Sequence, residues 1–308
     1  MRLFITGISG LLGLNVAFAA RGRFEVAGSY RSHPIAADGV AAVAADARDP
    51  VEMARVLDRV RPDVVLHTVG LSSVDGCEDD PEAAFDVNCG AAREMARLTH
   101  ARGIRLVHVS TDHLFDGTKP GRREDDALAP LNVYAKTKAE AEHAVLAEDP
   151  AALVVRTNFY GWGTSVRTSF SDWILAGLGA GRTLTMFEDV FFSPILVNDL
   201  ADALFALIEG KASGVLNVAG GERLSKHAFA QEAAEVFGLP SGSLRAVSVD
   251  SVALRAPRPR DMSLSSQRAA ELLGRPMPGA RAGLVRLRDL RDAGWPRMLE
   301  AALEAGRR

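Results

Sequence analysis

The chain has 308 residues, of which 47% are hydrophobic and 24% are charged, and its formal net charge is −3. This length and composition are those of a globular protein with one large domain or two closely joined ones. The charge gives no basic field for nucleic acid or an anionic membrane, and no window reaches the roughly 18 uninterrupted apolar residues of a membrane span.

The compartment is predicted from the first residues and the cysteines. The sequence MRLFITGISG leads directly into a strand and a turn, without the pattern of a signal peptide. Cys77 and Cys89 form no CxxC pair, and the 7 histidines show no ligand spacing. We therefore expect a cytoplasmic protein without a metal site.

In the first half, short apolar runs alternate with longer stretches of helical periodicity. Strands that read as continuous apolar runs are buried on both faces, which is typical of a parallel sheet. The alternation predicts an α/β fold with a doubly wound parallel sheet of Rossmann type. The predicted strands are Leu3–Thr6, Phe24–Ser29, 41–45, Val64–Thr68, Leu106–Ser110 and Leu153–Arg156, and the predicted helices are 11–21, 51–60, 80–102 and 133–148.

After residue 156 the alternation becomes less regular. Helices are predicted at 197–210, 224–237 and 263–273, and no element is predicted after 275. We expect residues 1–156 to form the dinucleotide-binding domain. Residues 157–308 are expected to form mainly a smaller C-terminal substrate domain, partly interleaved with the sheet.

A GxxGxxG pattern follows the first predicted strand. Gly7, Gly10 and Gly13 would allow a tight turn, close approach of a pyrophosphate and close packing of the next helix. Ser9 and Leu11 stand in the same turn, where the helix N-terminus offers free N–H groups to phosphates. The motif predicts a dinucleotide site.

The next two strands suggest which dinucleotide binds. No carboxylate follows the second strand, and Arg31 offers a cationic fork suited to a 2′-phosphate, although it could also be a solvated loop residue. NADP(H) is therefore favoured over NAD(H). Asp46 could contact the adenine or cap the helix near residue 50. Thr68 and Val69 would pass along the middle of the cofactor, whereas His67 is predicted to be a core residue.

Tyr134 and Lys138 form a YxxxK motif on a predicted helix. Residues four apart share a helix face, so the phenol and the ammonium can point into one cleft. A nearby lysine cation is expected to lower the phenol pKa from its usual value of about 10 towards neutrality. Lys136 and Lys138 could instead belong to a solvated face.

Hydroxyl side chains stand at the end of the strand that precedes this helix. Ser110 and Thr111 lie where open α/β sheets bind ligands, and such a hydroxyl can hydrogen-bond a substrate carbonyl. They could also simply end the strand.

Taken together, the segments TGISGLLG, STDHLFDG and PLNVYAKTKAEAE resemble the extended short-chain dehydrogenases, and among them the dTDP-4-dehydrorhamnose reductase family. Further similar segments are RTNFYG, DVFFSPILVNDLA, GVLNVAGGERLS and RPRDMSLSSQ. The resemblance extends from residue 1 to about 275.

The resemblance implies an NADPH-dependent reduction at C4 of a nucleotide-linked 4-keto-6-deoxy sugar. It implies that Tyr134 donates the proton, that Lys138 assists and holds the nicotinamide ribose, and that Thr111 is the hydroxyl partner. Ser110 is the alternative hydroxyl and is assigned to substrate binding. Asn158 and Arg258 would lie towards the nucleotide diphosphate. The resemblance also leaves a homodimer open.

Three positions depart from the family. His113 stands where the family usually has a tyrosine facing the sugar, so His113 is a candidate sugar-binding residue or a tolerated replacement. The run His67-Thr68-Val69 replaces an Asn-Ala-Ala-like run, and Val190 replaces a glutamine. All three departures are expected at the active cleft, which leaves the sugar open.

Two other functions fit the same scaffold. An epimerase or dehydratase would need an additional acid/base pair, for which Asp112 and His113 are the candidates. A regulatory subunit would keep the fold, with or without the cofactor as a structural ligand, and would not catalyse a reaction. The intact YxxxK motif favours the reductase.

Overall fold

A seven-stranded parallel sheet forms the centre of the protein in a computed structural model that describes residues 1–308. Its strand order is β3-β2-β1-β4-β5-β6-β11, and every neighbouring pair is parallel. The order reverses between β1 and β4, which opens a crevice at the carboxyl ends of these strands. The strands are β1 Arg2–Thr6, β2 Glu25–Tyr30, β3 Val40–Ala44, β4 Val64–His67, β5 Arg105–Val109, β6 Leu153–Arg156, β7 Phe159–Tyr160, β8 Leu184–Phe187, β9 Phe191–Phe192, β10 Ile195–Leu196, β11 Gly214–Asn217, β12 Leu224–Ser225 and β13 Leu244–Val247.

Helices cover both faces of this sheet. The α-helices are α1 Leu11–Ala20, α2 Pro50–Val60, α3 Val74–Asp79, α4 Pro81–Phe85, α5 Ala91–His100, α6 Val133–Glu148, α7 Phe170–Gly179, α8 Val197–Glu209, α9 Lys226–Phe237, α10 Gln267–Leu273, α11 Ala280–Asp292 and α12 Trp295–Gly306. One face packs against α1, α8 and α12, and the other packs against α2, α5 and α6. The predicted doubly wound, Rossmann-type fold is confirmed.

The six predicted strands and the helices at 11–21, 51–60 and 133–148 are confirmed to within one or two residues. Local signals explain these boundaries. Asp49 accepts hydrogen bonds from the first turn of α2, and the Asn132 side chain accepts one from the amide of Ala135 at the start of α6. The Ser225 hydroxyl caps α9, which therefore starts two residues later than expected.

The helix predicted at 80–102 is not a single regular helix. A π turn over Asp86–Gly90 separates α4 from α5. Its Asn88 side chain accepts a hydrogen bond from the Leu71 amide at 2.7 Å and donates to the Thr137 hydroxyl at 2.9 Å. The π turn thus directs an amide towards the loop after β4, a position that helical periodicity does not reveal.

The second half of the chain both completes the sheet and builds a separate aromatic cluster. Strand β11 pairs with β6 at the sheet edge, and α7, α9 and α11 enclose a cluster that includes Tyr160, Phe192 and Phe229. The region after 275 forms α11 and α12, and α12 returns to α1, where Trp295 Nε1 donates to Asn15 Oδ1 at 2.8 Å. The division at residue 156 stays a prediction.

Cys77 and Cys89 are buried free thiols. No group of three or more His, Cys, Asp or Glu side chains is arranged to hold a metal ion. None of the helices combines the length and the apolar composition that a membrane span requires.

Candidate active site

A cleft of about 750 Å³ lies at the carboxyl ends of the central strands. It extends from the turn after β1 to the segment before α7. All but one of the site residues predicted from the sequence line it; these are Gly7, Ser9, Gly10, Leu11, Gly13, Arg31, Asp46, Thr68, Val69, Ser110, Thr111, His113, Tyr134, Lys138 and Asn158. The exception is Arg258.

The turn between β1 and α1 is built around its glycines. Gly7 has a φ of 69°, which favours glycine, and its carbonyl accepts the Gly10 amide at 2.9 Å. A Cβ on Gly13 would lie 2.4 Å from the Gly7 carbonyl oxygen, so the helix packs too closely for any side chain there. No side chain caps α1, which leaves its first N–H groups available to an anion.

Cationic side chains lie at the far end of the cleft. Arg31 is exposed beside Asp46, and Arg48 pairs with Asp46 at 2.6 Å. Hydrogen bonding to Arg48 holds the pKa of Asp46 below its usual value, and the Arg31 charge acts in the same direction. Because Asp49 caps α2, the capping role considered for Asp46 is wrong, and the Asp46 carboxylate lines the cleft while it is paired with Arg48.

The loop after β4 forms the middle of the cleft. Thr68 donates to the Thr6 carbonyl at 2.6 Å, and Val69 lies close to Gly7. His67 is buried, as predicted, with Nδ1 2.9 Å from the Thr6 hydroxyl, but its Nε2 has no partner.

The predicted catalytic residues come together where β5 ends and α6 begins. The Thr111 hydroxyl donates to Asp112 Oδ1 at 3.3 Å and lies close enough to the phenol of Tyr134 to lower the pKa of that phenol. The Lys138 ammonium donates to the Val109 carbonyl at 2.8 Å. Ser110 is buried at the same edge, and its hydroxyl has no hydrogen-bond partner.

The pKa values of the two side chains of the YxxxK motif differ from those expected from the sequence. Burial raises the pKa of Tyr134 to about 12, and the nearby Thr111 hydroxyl only partly opposes this. Burial also lowers the pKa of Lys138 to about 8, against the opposing effect of Glu142. The expectation that the lysine brings the phenol pKa towards neutrality is therefore wrong, because burial dominates. The phenol is protonated at neutral pH, as a proton donor must be.

His113 and Asn158 lie on the substrate side of Tyr134. The His113 ring packs edge-on against the phenol with centroids 5.6 Å apart, and its buried Nδ1 has no partner. Burial lowers its pKa, so the imidazole is neutral. Asn158 Nδ2 donates to Asp112 Oδ2 at 2.5 Å, so the carboxylate of Asp112 is held between Asn158 and Thr111.

Lys226 was not identified from the sequence. Its Nζ lies 3.3 Å from the centroid of the Phe192 ring and 5.0 Å from that of Phe170, and it has no hydrogen-bond acceptor or ion-pair partner. Burial lowers its pKa to about 8, while nearby Asp112 raises it. The charge of Lys226 in turn lowers the pKa of His113. An unpaired ammonium beside a carboxylate and an imidazole could have been found only from the fold.

Two predicted positions lie elsewhere. Arg258 donates to Asp75 at 3.0 Å and to the Ala256 carbonyl, although its charge still lowers the pKa of His113. Val190 is only 4% exposed and packs in the aromatic cluster, so its expected place at the cleft is wrong. It is connected to the site only through its carbonyl, which accepts the amide of Lys226.

Comparisons with known proteins identify relatives that match most of the chain. The family described as RmlD substrate binding domain matches residues 1–290. A probable low-salt glycan biosynthesis reductase of Haloferax volcanii is 32% identical over 283 residues, covering 90% of this chain and 94% of that protein. The dTDP-4-dehydrorhamnose reductase of Mycobacterium tuberculosis is 33% identical over 300 residues, covering 95% and 90%. Methionine adenosyltransferase 2 subunit beta of Pongo abelii is 30% identical over 301 residues, covering 88% and 82%.

Solved structures show the same fold. A hypothetical dTDP-4-dehydrorhamnose reductase from Sulfolobus tokodaii superposes with a TM-score of 0.80 at 32% identity, covering 90% of this chain and 97% of that one. The dTDP-4-dehydrorhamnose reductase of Bacillus anthracis, in complex with NADP, superposes with a TM-score of 0.83 at 23% identity, covering 94% and 98%.

Proposed function

We propose that this chain, which belongs to the RmlD substrate-binding domain family, reduces the C4 keto group of a nucleotide-linked 4-keto-6-deoxy sugar with NADPH. Family membership makes it an NAD(P)-dependent oxidoreductase of the extended short-chain dehydrogenase kind. The observation that carries the proposal is that Thr111, Tyr134 and Lys138 line the same cleft as the glycine turn after β1.

The residues at the two ends of the cleft suit a dinucleotide with a 2′-phosphate. The uncapped N-terminus of α1 and the close approach at Gly13 fit a pyrophosphate. Arg31 and Arg48 provide positive charge beside Asp46, where the adenosine ribose would lie. The Bacillus anthracis reductase, which shares this fold, is solved in complex with NADP, so the fold accommodates a dinucleotide of this kind. Thr68 and Val69 would then line the middle of the dinucleotide.

Each catalytic side chain has a distinct task in this proposal. NADPH, when bound, supplies the hydride. Tyr134 gives its proton to the sugar oxygen at C4, and the Thr111 hydroxyl would turn from Asp112 to hydrogen-bond the same oxygen. Lys138 stays cationic below about pH 8 and favours the phenolate that proton donation leaves behind. The unpartnered hydroxyl of Ser110 is available to the substrate.

We place the sugar and its nucleotide on the side of Tyr134 that faces away from the cofactor residues and towards His113 and Asn158. The unpartnered Nδ1 of His113 offers a hydrogen bond to the sugar, and Asn158 would lie towards the diphosphate. Arg258 would reach the diphosphate only after leaving Asp75. We further propose a cytoplasmic location, which the two unpaired cysteines favour, and a homodimer, which the resemblance to the family implies.

The test follows the loss of NADPH absorbance with a panel of nucleotide-linked 4-keto-6-deoxy sugars, with NADH in parallel and Tyr134→Phe as the control. We expect oxidation that is faster with NADPH and at least about 100-fold slower in the variant. Tight NADPH binding without turnover of any panel member would contradict the reductase assignment.

A second candidate is a role as a subunit of another enzyme. Its support is the 30% identity to methionine adenosyltransferase 2 subunit beta over 88% of this chain. Gel filtration with a methionine adenosyltransferase catalytic subunit distinguishes the two. Co-elution of an inactive protein would favour the subunit role, whereas separate elution of an active protein would exclude it.

A further inference from the structure

The ammonium of Lys138 has two protein partners. It donates to the Val109 carbonyl at 2.8 Å, and its Nζ lies 3.2 Å from Nε2 of His108. Both partners come from β5, on which α6 lies. Since an ammonium has three N–H donors, these two contacts leave one for a ligand in the cleft that Lys138 lines.

The imidazole of His108 is neutral and has a defined tautomer. The residue is completely buried, and burial together with the charge of Lys138 lowers its pKa well below the usual value. An ammonium can only donate, so Nε2 of His108 must be the acceptor and Nδ1 must carry the proton. That Nδ1–H has no hydrogen-bond partner.

The arrangement does not continue as a proton relay. His67 stacks on His108 with ring centroids 5.5 Å apart and planes inclined by 23°, so the two rings face each other and do not join through nitrogen atoms. Nε2 of His67 also lacks a partner. The hydrogen-bonded path from Lys138 therefore ends at His108.

Packing alone does not account for this imidazole. A buried N–H without a partner costs free energy that an apolar side chain of similar size would avoid. The one polar contact that His108 makes is the contact with Lys138. The imidazole of His108 therefore lowers stability through its unpartnered N–H, and the only polar contact of its side chain is with the proposed catalytic lysine.

We propose that His108 is a positioning residue for Lys138. Its neutral Nε2, together with the Val109 carbonyl, fixes the direction of the ammonium and favours its charged form, which would leave the third N–H for a cofactor ribose bound in the cleft. The catalytic consequence rests on the proposed function, because it needs Lys138 to take part in the reduction. The hydrogen bond and the tautomer do not depend on it.

The first experiment uses the wild-type protein with 15N-labelled histidine and NMR. His108 is identified among the 7 histidines by the signal that disappears in His108→Gln. We expect a neutral ring with Nδ1 protonated between about pH 6 and 8 and a change of tautomer population in Lys138→Met. An Nε2-protonated ring in the wild type would overturn the proposal whatever the reaction is.

The second experiment compares His108→Leu, which removes the acceptor, with His108→Gln, whose side-chain oxygen can accept, and with His67→Leu. His67→Leu is the matched control, because it removes the stacked imidazole without touching Lys138. Melting temperature, NADPH Kd and the pH profile of kcat/KM are measured for each folded variant.

We expect His108→Leu to lower kcat about 10-fold and to move the alkaline limb of the profile down by about one pH unit, because the ammonium loses an acceptor. His108→Gln should restore most of both, and His67→Leu should leave the limb in place. If His108→Leu keeps both the kcat and the alkaline limb of the wild type, His108 only fills space in the core and the proposal is wrong. If His108→Leu does not fold, a shifted alkaline limb in His108→Gln would refute the proposal, because glutamine keeps an acceptor.

If the wild type reduces no nucleotide sugar, the proposed function is wrong. The tautomer of His108 measured by NMR still tests whether its Nε2 accepts from Lys138.

Discussion

Alanine substitutions at two glycines of the same turn should separate stability from cofactor binding. In Gly13→Ala the new Cβ would lie 2.4 Å from the Gly7 carbonyl oxygen and 2.9 Å from Cα of Ile8. Both are backbone atoms, so the helix must move. In Gly10→Ala the nearest atom is the same oxygen at 3.2 Å, and the cleft side is open.

The magnitudes follow from these distances. An ordinary contact of roughly 3.4 Å requires α1 to move by about 1 Å in Gly13→Ala, and overpacking of this kind costs about 1–3 kcal/mol. Because α1 buries Leu12, Leu14 and Phe18 against the core, the shift disturbs the sheet. The melting temperature should fall by roughly 3–10 °C. In Gly10→Ala the fall should stay within about 2 °C, because a contact of 3.2 Å relaxes by a few tenths of an ångström.

Cofactor affinity should fall more in Gly10→Ala than in Gly13→Ala. A methyl group on Gly10 occupies the space in which the pyrophosphate approaches α1, so the NADPH Kd should rise by about 10-fold or more, which is about 1.4 kcal/mol. The assays are thermal unfolding by circular dichroism and fluorescence titration with NADPH, each on both variants. Wild-type affinity in Gly10→Ala would refute the placement of the pyrophosphate, and an unchanged melting temperature in Gly13→Ala would refute the packing argument.

Four further outcomes are expected. The kcat/KM for reduction should fall as the pH rises through about 8, because Lys138 has a lowered pKa of about 8 and loses its charge there; in Lys138→Arg any remaining activity should lack that limb, and a limb at the same pH would assign it to another group. In binding titrations, Arg31→Ala should raise the Kd for NADPH about 10-fold and leave the Kd for NADH unchanged. An equal loss of affinity for both dinucleotides would exclude recognition of the 2′-phosphate by Arg31. Lys226→Met should raise the KM for the sugar nucleotide about 10-fold at constant NADPH Kd, since its ammonium has no protein acceptor, and an unchanged KM would remove it from the site. Arg156→Met should lower the free energy of unfolding, measured with denaturant, by about 3–5 kcal/mol, because it leaves the buried carboxylate of Glu142 without a partner. A loss below about 1 kcal/mol would contradict the burial of the pair.

The positions predicted correctly carry local signals. The helix 133–148 was predicted correctly from an Ala-rich stretch that contains the YxxxK motif. The segment 80–102 was also predicted as one helix, but it contains the π turn at Asp86–Gly90, where Asn88 bonds both to the loop after β4 and to α6. The predicted pKa of Tyr134 was wrong because burial raises it, the Thr111 hydroxyl lowers it only in part, and Lys138 is not among the groups that shift it.

By itself, the sequence determined the parallel sheet, the glycine turn and the presence of Thr111, Tyr134 and Lys138 at one edge of that sheet. These features depend on residues within one strand, one turn or one helix, and the carboxyl ends of parallel strands always meet at one edge. The tertiary structure alone decided that Lys226 of α9 comes near enough to Asp112 for the carboxylate to raise the lysine pKa, and that His108 accepts from Lys138. Those contacts join segments that are far apart in the chain, and no local pattern specifies which distant side chains a fold brings together.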